Sequence, residues 1–325
     1  MPLSPQRKEQ LLAIESRLQE HAFPPQLVVE NTSHCNLKCV HCCHKELLRP
    51  RRHMERVLWD KIADEVARER PDCEVWPTFY GEALIMGKDG EIWDRIDYAA
   101  RAGCRNLVLN SNGTLLTKWD NITRVLASPL RRFIISLDGF TRETFEAIRV
   151  GACRDEVFAA VEELLNRKAR FGQTYPAIIC QYSVMDENEA EVEAFRAYWR
   201  ERGAEIKTRP KLEWTTTGSV RASNIDHDTD FRIACPWANN TMAIHQNGNA
   251  VACAVDYEGR YTVGSVADTS VKELWIRLGQ LRAIHRARDW DRLPELCRPC
   301  CDWQTAGAEY EEERAPGTRP FWLQP

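Results

Sequence analysis

Short apolar runs alternate with longer amphipathic segments along most of this chain. Residues 5–21 place Leu11, Leu12, Ile14 and Leu18 at near-helical spacing before Pro24 and Pro25 stop the pattern, and the apolar run "QLVVENT" (26–32) has the length of a strand. The pair of signals then repeats. Residues 57–69 read as a helix, "VWPTFY" (75–80) as a strand, "GEIWDRIDYAARAG" as a helix ended by Gly103, and "NLVLNSNG" as a strand and turn. "RRFIISLDG" follows as a strand, "TRETFEAIRVG" and "RDEVFAAVEELLNRKARFG" as helices, "PAIICQYSV" as a strand, "ENEAEVEAFRAYWRERG" as a helix and "AEIKTRPKL" as a sixth strand. Such alternation predicts an α/β fold, a partial (β/α)6 barrel whose functional groups lie at the C-terminal ends of its strands.

The character changes after "EWTTTGSVRASNIDHDTD" (213–230), a polar stretch that reads as a boundary loop. "TMAIHQNGNAVACAVDYEGRYTVGSV" is a series of short strands turning at Asn247-Gly248 and Glu258-Gly259, followed by a helix at 270–287 and cysteines near position 300. The expected organisation is an N-terminal helix (1–24), a barrel (25–225), a small β-hairpin and helix unit (226–310) and a C-terminal tail (311–325). A chain of 325 residues suffices for two unequal units of this kind.

Charge and cysteine content narrow the function. The net charge is −4 with both signs interspersed, so neither nucleic acid nor an anionic membrane is expected as a partner. The first residues lack a signal-peptide core and no run reaches the length of a membrane span, which predicts a cytoplasmic protein. Thiols stay reduced in that compartment, so 13 cysteines in grouped spacings point to metal binding or catalysis.

"NTSHCNLKCVHCCHKE" holds the most informative group. Cys35, Cys39 and Cys42 follow C-x3-C-x2-C, whereas a structural zinc site takes four ligands. Three thiolates on a four-iron cluster leave one iron open to a substrate or cofactor. His34, His41, His44 or Cys43 would be needed to complete a zinc site instead. A second group, Cys235 and Cys253 with the pair Cys297 and Cys300, has the composition of a closed four-thiolate site for zinc or an iron–sulfur cluster.

Over residues 25–310 the sequence resembles the radical S-adenosylmethionine (SAM) superfamily. The resemblance implies a [4Fe-4S] cluster on Cys35, Cys39 and Cys42 with SAM on its open iron, and His41 at a usually aromatic position. "FYGEAL" is similar to the family's Gly-Gly-Glu segment. Gly81 and Glu82 are its matched pair, while Tyr80 and Ala83 depart from it. "LNSNGTLL" supplies Asn112 beside the cofactor, and "IISLDGF" supplies Ser136 and Asp138 facing the SAM ribose or the substrate. Arg149 falls near the SAM carboxylate or the substrate. Gln181 shares one face of the fifth strand with Ser183, and that face is expected to line the cavity. Cys180, on the other face, is a candidate hydrogen-atom donor. Lys207, Arg209, Lys211 and Glu213 are expected to line the substrate pocket.

The C-terminal unit resembles the Twitch domain, the short form of SPASM, which implies a second [4Fe-4S] cluster on Cys235, Cys253, Cys297 and Cys300, with Cys301 as the alternative to Cys300. The implied activity is reductive cleavage of SAM to a 5′-deoxyadenosyl radical that takes a hydrogen atom from a small polar substrate: a sugar, an aminocyclitol or a nucleoside. Oxidation or epimerisation would follow, with the second cluster as electron relay and flavodoxin or ferredoxin as external electron donor. The alternatives are a ribosomal-peptide maturase of the SPASM type and a non-catalytic zinc or iron–sulfur protein. About 25 residues precede the first strand, too few for a peptide-recognition module, which favours the small substrate.

Overall fold

A computed structural model of the chain describes residues 3–214, 225–227 and 229–305. Nine strands form one sheet: β1 (Gln26–Val29), β2 (Glu74–Trp76), β3 (Asn106–Ser111), β4 (Arg132–Ser136), β5 (Ala177–Val184), β6 (Glu205–Pro210), β7 (Thr241–Ile244), β8 (Asn249–Val251) and β9 (Thr262–Ser265). Their order is β6-β5-β4-β3-β2-β1-β7-β8-β9. The pairs from β6 to β7 are all parallel, as the βα alternation predicts, and β7, β8 and β9 are antiparallel.

The helices are α1 (Pro5–Glu15), α2 (Arg56–Glu69), α3 (Glu91–Ala102), α4 (Asn121–Ala127), α5 (Arg142–Ile148), α6 (Arg154–Arg170), α7 (Val192–Glu201), α8 (Pro236–Asn240), α9 (Val271–Arg277) and α10 (Gly279–Arg286). Alternation along each strand separates two environments. Leu27, Val29, Val75, Leu109, Phe133, Ile135, Ile178 and Tyr182 face the helices and join the main apolar core with Trp59, Ile96, Phe158 and Trp199. On the concave face, Val108, Ile134 and Ile179 pack with Trp76 into a narrow apolar band, and the polar positions lie above and below it. None of the described helices is long and apolar enough to cross a membrane.

Three features differ from the reading of the sequence. β2 stops at Trp76 because Pro77 has no N–H for the ladder, and residues 77–82 instead run over the C-terminal end of the sheet. The short helix α4, which buries Ile122, Val125 and Leu126, has too few turns to show a period. The C-terminal strands are not a separate layer: β7 pairs with β1 over Gln26↔Thr241 to Val29↔Ile244 and so extends the barrel sheet. An uncovered β1 would expose a ladder edge, and β7 closes it. The expected C-terminal tail (311–325) and residues 215–224 and 228 of the boundary loop lie outside the described residues.

Candidate active site and second cysteine site

A cavity of about 220 Å³ opens at the C-terminal ends of the strands. The fold brings Cys35, Cys39, Cys42, His41, Gly81, Glu82, Asn112, Ser136, Arg149 and Gln181 to its wall, together with Lys207 and Arg209. Residues separated by up to 174 positions in sequence thus meet in one place.

The cysteine loop is held from two sides. Lys38 N donates to Val150 O (2.9 Å) and Val40 N to Ile148 O (3.0 Å), which fastens the loop to the end of α5. Glu82 N donates to His34 O at 2.8 Å, so the Gly81-Glu82 segment lies flat against the loop's start. A Cβ at position 81 would lie 2.2 Å from Thr32 O, which is why glycine is needed there. Burial pushes the Cys35 and Cys39 thiols up to about 12 and about 11. Cys42 is held down at about 6, chiefly by the hydrogen bond from the Cys43 thiol and also by that from His44 N.

Glu82 is buried, and burial pushes its carboxyl up despite three donors: Ser111 Oγ (2.9 Å) and Leu84 N (3.0 Å) on Oε1, and Asn112 N (2.7 Å) on Oε2. Asn112 Nδ2 in turn donates to Asn36 Oδ1 at 2.9 Å, within the cysteine loop. Arg149 donates to the Cys39 Sγ at 3.7 Å and forms an ion pair with Asp138.

Three assignments from the sequence need correction. Asp138 does not face the cavity. Its backbone is left-handed (φ 56°), which breaks the strand alternation and turns the carboxylate onto Arg149, His41 Nε2 (3.3 Å) and Ser183 N (2.6 Å). Burial alone would raise its pKa, but Arg149 and His41 outweigh that and hold it well below the ordinary carboxylate range. Asp138 therefore positions Arg149 and His41, and Ser136 is the cavity residue of β4. Cys180 faces the helices, fully buried in the core that includes Phe158 and Trp199, so its thiol has no path to the cavity. Lys211 pairs with Glu213 at 2.7 Å and neither joins the cavity wall, unlike Lys207 and Arg209.

The sequence reading missed the far end of the cavity. Gln26 and Glu74, the first residues of β1 and β2, face inward; Glu74 accepts from Gln26 Nε2 (2.7 Å), Trp76 Nε1 (2.6 Å) and Arg132 Nη2 (2.5 Å). Their signal was an amide or a charge at the start of an apolar run, two places before an inward residue. Trp76, Phe79, Trp214 and Trp237 supply aromatic wall.

The second cysteine set converges as expected. Cys235 precedes α8, Cys253 follows β8, and both share a small cavity with Cys297 and Cys300, closed by Ala238, Leu281 and Trp303. Cys301 is outside it, its thiol directed at Pro299 O (3.6 Å), so the geometry selects Cys300. Burial pushes the Cys297 thiol up to about 12 and raises those of Cys235, Cys253 and Cys300. Tyr80 links the two sites: it packs with Cys43 and Tyr257, and its hydroxyl donates to Ala254 O (2.6 Å), beside Cys253.

Both sets suit iron–sulfur clusters. Among the described residues no three His, Cys, Asp or Glu side chains are gathered tightly enough for a single metal ion. The thiols instead surround cavities, as a cluster several ångströms across requires. Three thiols beside an open cavity fit a cluster with one free iron, and four thiols within an apolar shell fit a fully ligated one.

Comparison with known proteins agrees. The sequence pattern described as the radical SAM superfamily matches residues 29–196, and that of the SPASM iron–sulfur cluster-binding domain matches residues 235–301. Mycofactocin maturase MftC of Mycolicibacterium smegmatis is 28% identical over 186 residues, 56% of this chain and 43% of that protein. The AdoMet-dependent heme synthase of Methanosarcina barkeri is 31% identical over 156 residues, 45% of this chain and 40% of that protein. The chain thus spans about two fifths of the length of these curated relatives. BtrN in complex with AdoMet and 2-DOIA shares the fold with a TM-score of 0.59 at 15% identity, over 87% of this chain and 94% of that one. Streptococcus suis SuiB bound to S-adenosylmethionine shares it with a TM-score of 0.66 at 13% identity, over 90% and 76%. With its family's pattern running over more than half its length, this chain belongs to the radical SAM superfamily, and its cofactors are SAM and [4Fe-4S] clusters.

Proposed function

We propose that this protein removes a hydrogen atom from a small polar substrate and completes its oxidation by one further electron and a proton. The observation that carries this reading is the polar layer next to the cysteine loop. Gln181 Nε2 donates to Ser136 Oγ (2.9 Å), which donates to Asn110 Oδ1 (3.1 Å), and Lys207 and Arg209 continue the layer on β6. Such groups suit hydroxyls and amines, and the cavity has the size of a metabolite.

Cys35, Cys39 and Cys42 would hold the first cluster, with His41 beside it. Gly81, Glu82 and Asn112 would meet the amino group of SAM's methionine portion, and Arg149 its carboxylate. When bound, cluster and SAM together supply a 5′-deoxyadenosyl radical. The protein's own part is to orient one C–H bond and exclude water, the latter through Phe79, Trp214 and Trp237 on the cavity wall.

Cys235, Cys253, Cys297 and Cys300 would hold the second cluster, whose closed ligand set leaves it electron transfer and no substrate contact. Among the described residues, the only cysteines on the cavity wall are the three of the first cluster. This favours oxidation over epimerisation, which needs a hydrogen-atom donor on that wall. A flavodoxin or ferredoxin is the proposed external electron source. Maturation of a ribosomal peptide is the second reading, favoured by the likeness to MftC and to SuiB, which is also known bound to the precursor peptide SuiA.

The test is anaerobic reconstitution followed by SAM cleavage under dithionite, with aminocyclitols, sugars, nucleosides and candidate peptides as substrates. Cleavage lost in Cys35→Ala/Cys39→Ala/Cys42→Ala, with turnover of a small substrate to a product two hydrogens lighter, supports the proposal. Stoichiometric zinc without cleavage refutes the enzyme reading, and turnover confined to peptides refutes the substrate class.

A further inference from the structure

We infer that His285 donates a hydrogen bond from its Nε2–H to a sulfur of the second cluster, and that this bond raises the cluster's reduction potential. The inference rests on reading Cys235, Cys253, Cys297 and Cys300 as a closed cluster site, and it adds the residue that sets how readily that cluster accepts an electron.

His285 lies near the end of α10 and is only 1% exposed. Its ring belongs to the wall of the small cavity that the four cysteines share. Cys235 N, the amide of one of those cysteines, donates to His285 Nδ1 at 3.5 Å. A backbone N–H can only donate, so Nδ1 is the acceptor and the ring proton sits on Nε2. Trp290 flanks the ring with centroids 6.4 Å apart. The segment that carries a thiol into the site thus also fixes the tautomer of this histidine.

Nε2 itself is buried and has no hydrogen-bond partner among the described residues. Buried N–H groups are seldom left so, because the bond they lose to water has to be replaced. The cavity offers the replacement. Of the other polar side chains on its wall, Arg232 and Trp303 carry donors alone, and the lining between the cysteines is apolar, as at Leu281 and Leu296. Among the described residues, sulfur is therefore the only side-chain acceptor on this wall. One of its thiols already takes such a bond, from Val255 N to Cys253 Sγ at 3.4 Å.

The consequence is electronic. On taking one electron, [4Fe-4S]2+ becomes [4Fe-4S]+ with no atom gained or lost, and part of the added charge falls on sulfur. An N–H donor aimed at that sulfur favours the reduced form, the more so in an apolar shell of low dielectric. In the proposed reaction the electron comes from the substrate radical as it loses a proton, so His285 makes the second cluster the better acceptor.

The experiment reduces the anaerobically loaded full chain stepwise with dithionite and follows its clusters by electron paramagnetic resonance. The Cys35→Ala/Cys39→Ala/Cys42→Ala protein identifies the signal of the second cluster. His285→Phe keeps a ring and removes the donor. In that variant the second cluster's electron affinity should fall at least tenfold, about 59 mV for one electron, while iron stays at about eight atoms per chain and the first cluster's potential does not move. An unchanged potential overturns the inference. A second measurement decides without the variant: the three-cysteine protein is grown with 15N-labelled histidine and its remaining cluster reduced. A weak nitrogen coupling supports the hydrogen bond. No coupling, or the strong coupling of an iron-bound nitrogen, overturns it. These readouts need neither SAM nor substrate, so a bond found in a protein that turns over only peptides refutes the substrate class proposed above and leaves this inference standing.

Discussion

Replacing Gly81 by alanine tests how the two halves of the SAM site are joined. An alanine Cβ would sit 2.2 Å from Thr32 O and 2.7 Å from His34 O, both backbone atoms with no side-chain freedom to yield. Restoring the nearest tolerable separation moves the Gly81-Glu82 segment away from the cysteine loop by roughly 0.8 Å. The 2.8 Å bond from Glu82 N to His34 O then stretches to about 3.6 Å and ceases to be a hydrogen bond. Overpacking costs about 1–3 kcal/mol and the lost bond about 1 kcal/mol more. For a chain of this length that lowers the melting temperature by roughly 3–6 °C. The same displacement pulls Glu82 and Cys35 apart, and SAM affinity should fall at least tenfold. Thermal unfolding under anaerobic conditions measures the first effect and equilibrium dialysis of SAM the second. Gly279→Ala is the control, because its Cβ would meet Arg282 at an ordinary 3.6 Å. A Gly81→Ala protein with wild-type melting and SAM affinity would show that the contact at Thr32 does not set the geometry, and the reasoning fails.

Asp138→Asn leaves the buried Arg149 without its counter-charge and should destabilise the fold by about 3 kcal/mol in urea titration. Adding Arg149→Met should recover part of the loss, and a double variant no better than the single refutes the pairing account. Cys300→Ala should lower iron from about eight to about four atoms per chain while Cys301→Ala leaves it unchanged, and the reverse result would exchange their roles. Cys180→Ala should cost about 1 kcal/mol of stability yet leave the product unaltered; a changed product stereochemistry would bring that thiol back into the chemistry. His245 is held at about 3, first by burial and then by Arg49, so the folded state refuses a proton that the unfolded chain accepts below about 6.5. Stability should therefore decline as pH falls from 6.5 towards 3, by up to about 1.4 kcal/mol per pH unit from this group. His245→Gln should flatten that slope between about pH 6.5 and 5, and an unchanged slope refutes the assignment.

The sequence by itself determined what depends on near neighbours. Alternation of period two grouped Gln181 with Ser183, opposite Cys180 and Tyr182, because a strand turns successive side chains to opposite faces whatever surrounds it, and the family resemblance indicated which face turns inward. The C-x3-C-x2-C spacing set the cysteine loop for a similar reason: eight residues cannot carry the thiols far apart. Pro77 ends β2 through its missing N–H, a local signal that the expected strand at 75–80 passed over.

The tertiary structure alone decided features in which distant segments compete. The left-handed backbone at Asp138 reverses the strand's parity, and its stability comes from Arg149, His41 and Ser183 acting together. The pairing of β1 with β7 joins residues more than 200 positions apart and depends on which edge of the sheet remains uncovered. Cys300 and Cys301 are adjacent and chemically identical, and only the turn that carries them, which sets one in the cavity shared with Cys253 and Cys297 and directs the other's thiol at Pro299 O, distinguishes them. The buried pair of Glu74 and Arg132 at the far end of the cavity was not legible, because the two residues meet only when β2, β3 and β4 lie side by side.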